Sequence, residues 1–386
     1  MALSVTPADR MLPSDEAVDL LHLVREIADA ELAPKVATYE HDGTFFREEL
    51  RTLGKAGLLS LPYAEEWGGG GQPYEVYLQA LEEIAGAWLS MGVSVSVHAL
   101  ACFPVAQYGT DVQRERWLPD MLGGELLGAY CLSEPQSGSD AAALQTRAIR
   151  DGGDYVVNGT KAWITHGGVA DFYNLMVRTS DDGARGISCL LADADTPGLS
   201  GAAPERKMGA KGSRTAQVIL DAARVSSDRL VGQEGQGFKI ALAALDSGRL
   251  GIAACAVGLA QAALDAAAAY AKTRRQFGRA IGEFQGLQFM LADMATSVSA
   301  ARALYLAAAR RRDRGLPFGV EAAKAKLFAT DAAMRVTTDA VQVFGGYGYV
   351  EDFPVERYMR EAKVLQIVEG TNQVQRMVIG RALTAD

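Results

Sequence analysis

Asp154-Tyr155-Val156-Val157-Asn158-Gly159-Thr160-Lys161-Ala162-Trp163-Ile164-Thr165 alternates apolar and polar residues on either side of an Asn-Gly pair. The pattern predicts two short strands joined by a tight turn, because Asn and Gly both tolerate the positive φ such a turn demands. Trp163 and Thr165 fall on one face of the second strand and Ile164 on the other. Further strands are expected over residues 173–178, 186–192 and 216–221. Residues 126–234 therefore read as a small antiparallel, barrel-like β domain.

On both sides the period changes. Towards the N-terminus, Ser14 precedes a helical run over 16–32, with Leu20, Leu21, Leu23, Val24 and Ile27 spaced for buried faces. Residues 46–56, 74–87 and 112–122 add helices, and residues 67–71 are a Gly-rich loop. Towards the C-terminus, four long helical segments are expected at about 238–274, 284–313, 318–343 and 354–383. Short Gly- and Pro-bearing breaks between them suggest a bundle. The expected fold is mainly α with a central β domain: an N-terminal α-helical domain over 1–125, the β domain over 126–234 and a C-terminal four-helix bundle over 235–386.

Composition narrows the function. A net charge of −9 over 386 residues disfavours non-specific nucleic-acid binding. Cys102, Cys131, Cys189 and Cys255 form no C-x-x-C pair, which fits reduced thiols and a cytoplasmic setting. Residues 1–15 hold no apolar core of signal-peptide length. The apolar stretch 251–271 is interrupted by Gln261 and Asp265 and reads as a packed helix, so no membrane association is expected. His22, His41, His98 and His166 are dispersed, and no metal site is expected. Nucleotide-binding Rossmann and P-loop motifs and the G-x-S-x-G nucleophile elbow are missing.

Six segments could carry chemistry, and each alone also suits a structural role. Residues 130–140 run from a strand into a polar loop holding Ser133, Ser137 and Ser139, a surface for a planar ring or a phosphate. Trp163 with Thr165 offers an aromatic and a hydroxyl together. Asp246 and Arg249 are i, i+3 neighbours that could pair. Between them, Gly248 costs about 1 kcal/mol within a helix, which implies a close approach there. Arg274 to Gly278 ends a helix with arginine, suited to the dipole or to a diphosphate. Residues 341–349 interleave three glycines with aromatics. Glu369 follows Ile367-Val368 and precedes Gly370-Thr371, so partial burial and a raised pKa are expected. Arg310, Arg311, Arg312 and Arg314 read as a solvated helix end.

In this order, over roughly residues 10–383, these segments resemble the acyl-CoA dehydrogenase family, and its short-chain and short-branched members in particular. The resemblance implies FAD, a homotetramer built as a dimer of dimers, and a role in fatty acid or branched-chain amino acid catabolism. It places Tyr130, Leu132, Ser133 and Ser139 on the flavin ring, with Trp163, Ile164 and Thr165 at its other side. It assigns Arg274, Phe277, Gln285, Gln342, Val343, Gly345 and Gly346 to the diphosphate and adenosine across a subunit boundary, and Thr371 and Gln373 to further FAD contacts. Ser139, Asp246, Arg249, Glu369 and Gly370 match positions near the acyl-CoA. Glu369 matches the catalytic base. Relatives that place the base on the first bundle helix have it where this chain has Gly248, so only one acid is expected. His166 stands where Asn is common, and Gln136-Ser137 where smaller residues are common.

The implied reaction is α,β-dehydrogenation of an acyl-CoA to the trans-2-enoyl-CoA. Glu369 takes the α-proton, while its backbone N–H and a flavin ribitol hydroxyl steady the enolate oxygen. The β-hydride goes to flavin N5, and the electrons pass on to an electron-transferring flavoprotein. An acyl-CoA oxidase, or a dehydrogenase of carrier-protein-tethered acyl groups, would share these motifs. An inactive flavin- or CoA-binding scaffold is the reading from outside enzymology.

Overall fold

The computed structural model describes residues 10–385. Residues 1–9 and 386 lie outside the described residues, and with them most of the stretch read as lacking a signal-peptide core.

Among the described residues, six α-helices come first: α1 (Asp15–Ile27), α2 (Val36–Asp42), α3 (Arg47–Lys55), α4 (Tyr74–Ala87), α5 (Leu89–Tyr108) and α6 (Asp111–Leu122). Ser14 caps α1 by accepting from Ala17 N at 3.2 Å. The helical run expected over 16–32 leaves α geometry at Ala28, where one π turn precedes Pro34. Thr110 and Gln113 form a reciprocal capping box on α6. The helix α5 escaped the sequence reading. It is apolar on every side and therefore shows no 3.6-residue stripe, as expected of a helix buried all round.

The centre is a mixed sheet of β1 (Gly128–Cys131), β2 (Arg147–Asp151), β3 (Asp154–Thr165), β4 (Phe172–Arg178), β5 (Ile187–Asp193), β6 (Leu199–Gly201), β7 (Thr215–Ser226) and β8 (Leu230–Val231). Strand order is β6-β7-β3-β2-β4-β5-β8, with β1 on β4. The sheet is not wholly antiparallel: β4 pairs parallel with β1 and, at one position, with β2.

The expected hairpin at Asn158-Gly159 does not exist. Residues 154–165 form the single strand β3, and the tight turn lies earlier, at Gly152-Gly153 between β2 and β3. Asn158 spends its side chain across the sheet, accepting from Ala222 N at 2.8 Å. A β-carbon at Gly159 would collide with Thr146. The register of β3 on β7 slips at Val157/Gly159 and again at Lys161/Ile164, so the Asn-Gly pair makes a bulge rather than a reversal.

Beyond the sheet run α7 (Gly237–Thr273), a small hairpin of β9 (Arg275–Gln276) and β10 (Arg279–Ala280), α8 (Gln285–Asp313), α9 (Gly319–Phe344), α10 (Val355–Leu365) and α11 (Asn372–Thr384). The segment read as one helix over 354–383 is thus two, parted by the turn that carries Glu369. The helix α7 is the axis of the molecule and packs on α4, α5, α8 and α9. Gly86 and Gly258 let α4 and α7 meet backbone to backbone. By length and composition α5 and α7 could each cross a bilayer, but here both lie largely buried in the protein core.

Glu82 on α4, 1% exposed, ties the N-terminal segment before α1 and the later bundle helix that carries Arg302 and Tyr305 to this core. It accepts from Arg10 at 2.9 Å, from Arg302 at 2.7 Å and from the Tyr305 hydroxyl at 2.5 Å. Burial alone would raise its pKa, but the two guanidinium groups pull it down to about 2. All four cysteines are buried and free.

Candidate active site

Glu369 stands in the turn between α10 and α11 with φ 53°, followed by Gly370 at φ 90°. A left-handed non-glycine residue costs about 1–2 kcal/mol, so the surrounding packing must hold it there. Thr371 then caps α11, accepting from Val374 N at 3.3 Å. The Glu369 side chain points at α7, where a β-carbon on Gly248 would overlap its Oε2. This is the close approach that a glycine inside a helix implied. Both Glu369 oxygens are shielded from solvent and have no hydrogen-bond partner among the described residues. Burial raises the carboxyl pKa to about 7, with Lys326 and Arg249 pulling in the opposite direction.

A small cavity opens beside Gly248, lined by Tyr63, Tyr74, Ser96, Leu100, Phe103 and Arg312. The Tyr74 hydroxyl donates to Ser247 O at 2.9 Å. The Arg312 guanidinium lies 3.7 Å from the Tyr74 ring centre, and Asp313 caps α4 by accepting from Tyr74 N at 2.8 Å. The arginine run is therefore not simply a solvated helix end. Arg310 does face solvent, pairing with Glu75 at 2.7 Å, but Arg312 turns inward to the cavity. Asp246 and Arg249 do pair, at 2.6 Å, and Arg249 is buried.

On the sheet side, Tyr130 and Leu132 are buried, and the Tyr130 hydroxyl donates to Ala241 O at 3.3 Å. The loop after β1 is clamped by Glu134, which is 2% exposed. Glu134 pairs with the fully buried Lys161 at 2.7 Å and accepts from Gln145 N at 2.6 Å and Thr146 N at 2.9 Å. Gln136 adds a bond to the same carboxylate at 2.7 Å. Ala162 N donates to Ser133 O at 2.9 Å, which sets the loop beside Trp163. Trp163 has φ 62° and is 65% exposed, Thr165 is half-buried, and Ile164 points into the core. Ser139 is exposed at the loop tip.

Two of the dispersed histidines converge here, which sequence spacing could not show. His98 accepts from Gly128 N at 3.1 Å, and His166 donates to Gly128 O at 2.8 Å. Burial lowers their pKa values to about 4 and about 3, so both stay neutral and fix the start of β1. No group of three metal-binding side chains occurs among the described residues.

The remaining candidates cluster elsewhere. Arg274 caps α7, its guanidinium 5.3 Å from the Tyr347 ring centre. Phe277, at φ 51°, is 94% exposed on the β9–β10 hairpin. Gln285 and Gln342 are exposed, Val343 is buried, and Gly345 and Gly346 are open to solvent. Gly248 and Arg274 lie about 39 Å apart along α7 at ~1.5 Å per residue. Gln373 is exposed on the first turn of α11.

Comparison with known proteins covers nearly all of the chain. The family descriptions "Acyl-CoA dehydrogenase, N-terminal domain", "middle domain" and "C-terminal domain" match residues 14–125, 129–223 and 235–384. The acyl-CoA dehydrogenase of Bacillus subtilis (strain 168) is 45% identical over 96% of this chain and 98% of its own length. Butyryl-CoA dehydrogenase from Megasphaera elsdenii superposes with a TM-score of 0.95 at 42% identity, covering 97% of this chain and 100% of that one. A chain in the structure of the electron transferring flavoprotein of Acidaminococcus fermentans superposes with a TM-score of 0.96 at 43% identity, covering 98% and 100%. Such matches over the whole length define a flavoprotein oxidoreductase. The chain belongs to the acyl-CoA dehydrogenase family.

Proposed function

We propose that the chain oxidises a short acyl-CoA thioester to its trans-2-enoyl-CoA with FAD, Glu369 removing the α-proton. The observation that supports this most directly is the Glu369 carboxylate, shielded and unpartnered above Gly248. A structural carboxylate so buried would be paired; one left free, with its pKa raised to about 7, suits a base. The likeness to a butyryl-CoA dehydrogenase and the small cavity beside Gly248 support a short acyl group.

The chain's surfaces fit FAD, which when bound supplies the acceptor for the β-hydride. The open indole of Trp163, with Tyr130, Leu132, Ser133, Ser139, Ile164 and Thr165 around it, would hold the ring, and Thr371 and Gln373 would add contacts. Arg274 has no ion-pair partner among the described residues, and Gly345 and Gly346 beside it leave room, as a diphosphate requires. With Phe277, Gln285, Gln342 and Val343 these residues lie too far from Gly248 to serve one flavin within a single copy. They would therefore hold the nucleotide of a flavin bound by another copy, which supports the homotetramer.

Asp246, Arg249, Ser139 and Gly370 would flank the thioester and CoA. The Glu369 backbone N–H has no partner among the described residues and would meet the enolate oxygen as charge develops. Tyr74 and Tyr77, both buried and close enough to feel the Glu369 charge, would help keep water from the carboxylate. Electrons would leave to an electron-transferring flavoprotein, in a cytoplasm where the four buried cysteines stay reduced.

The test is an anaerobic titration of the yellow enzyme with butyryl-, isobutyryl-, isovaleryl- and octanoyl-CoA, read as flavin bleaching. Bleaching by a short thioester supports the reading, and an enzyme that none of them bleaches overturns it. The pH dependence follows from the base. Glu369 works only when ionised, so kcat/KM should fall as pH drops through about 7. A profile flat down to pH values near an ordinary carboxylate's would contradict this. Arg274→Ala should lose FAD on dialysis while the fold survives, and full flavin occupancy afterwards would remove the diphosphate role.

A further inference from the structure

We propose that Lys326 is the positioning residue of the base, acting on Glu369 through the carbonyl of Gly370 and through its own charge. The inference rests on Glu369 being the base.

Nothing bonds to the Glu369 carboxylate among the described residues, so hydrogen bonds do not aim it. Its direction is set by the backbone, in two successive left-handed residues. What holds that turn is a set of donors from inside the bundle. Lys326 Nζ donates to Gly370 O at 3.0 Å and to Asn372 Oδ1 at 2.9 Å. Gln375 Nε2 donates to the same Gly370 carbonyl at 2.8 Å and reaches Glu369 O at 3.3 Å. Thr330 and Asp331 complete the network on Asn372, at 3.0 Å and 2.7 Å from its amide nitrogen.

Lys326 is fully buried on α9 and forms no ion pair within 4 Å among the described residues. A buried ammonium without a contacting carboxylate is costly, and an apolar side chain would pack α9 at lower cost. Its donors instead go to the turn that carries Glu369. Burial lowers the Lys326 pKa to about 8, with Glu369 the strongest influence in the opposite direction. The titratable and charged groups facing the Glu369 carboxylate are Lys326, Arg249, Tyr74, Tyr77, Tyr130 and Cys255. Of these only Lys326 also bonds the turn.

The test is a double-mutant cycle in the flavin-loaded enzyme, with Lys326→Met, Glu369→Gln and both together, assayed with butyryl-CoA. Lys326→Met should lower kcat about 10²-fold, as expected for a reacting group displaced by about 1 Å, with KM little changed. Its acid limb should move to higher pH, because one of the two cations near the carboxylate is gone. Added to Glu369→Gln it should cost no further activity, since it acts through the residue already removed. Lys326→Gln keeps a donor without the charge; it should recover part of kcat while its acid limb stays shifted. Should Lys326→Met fail to fold, Lys326→Gln takes its place in the cycle. Wild-type kcat and an unshifted limb overturn the proposal, and so does an equal loss in both backgrounds, the mark of a merely structural lysine. If Glu369→Gln itself turns over normally, the base assignment fails instead, whatever Lys326 does.

Discussion

Glu369→Gln is expected to keep the fold and its flavin and to lose at least ~10³-fold in turnover, the upper part of the range for acid–base groups. The loss is large because no other carboxylate among the described residues is in place to substitute. Asp246, two residues before Gly248 on α7, is engaged with Arg249 at 2.6 Å. The position on α7 that faces the Glu369 carboxylate carries Gly248, which has no side chain. The amide is nearly isosteric with the carboxylate and sits where no partner is lost, so stability should change little. Steady-state kinetics on flavin-loaded protein measures this, and near-wild-type turnover would move the base elsewhere.

Gly248→Ala should lower kcat about 10²-fold at nearly unchanged stability. The added methyl would occupy the space of Glu369 Oε2. That oxygen is the far end of a flexible side chain, so the carboxylate swings aside rather than the helices parting. Alanine also recovers about 1 kcal/mol of helix propensity over glycine, which offsets part of the crowding. A base displaced by about 1 Å loses the alignment that proximity supplies, and losses near 10²-fold follow. The combination to look for is a depressed kcat with a Tm within a few degrees of the parent. A large fall in Tm with normal kcat per folded enzyme would show that Gly248 is there for packing alone.

Both effects depend on a meeting that no local pattern encodes. The helices α1, α3, α4 and α6 and the long helices of the bundle were legible, because caps and a 3.6-residue stripe are written within one turn or two. Where the local signal was absent or ambiguous, it failed. The helix α5 has no polar face to set a period. Asn158-Gly159 is a turn pair by local preference, yet the chain runs straight through it, because Asn158 bonds Ala222 across the sheet and Gly152-Gly153 makes the reversal. Glu369 next to Gly370 stood out for its chemistry, but the segment around it was read as one helix where the chain makes two.

The sequence by itself determined the order helical, β, helical, the kinds of element and the residues chemically able to serve. Those features follow from near-neighbour preferences and from burial periodicity. Only the tertiary structure decided that Glu369 lies over Gly248, that Arg312 turns inward onto Tyr74, that His98 and His166 both grip Gly128, and that Lys326 bonds the turn that carries Glu369. It also decided that Arg274, at the end of α7, gathers with Gly345 and Gly346 about 39 Å along that helix from Gly248. Such contacts join residues from distant parts of the chain. They are fixed by how helices and sheet close on a shared core, where a fraction of an ångström decides whether a side chain fits.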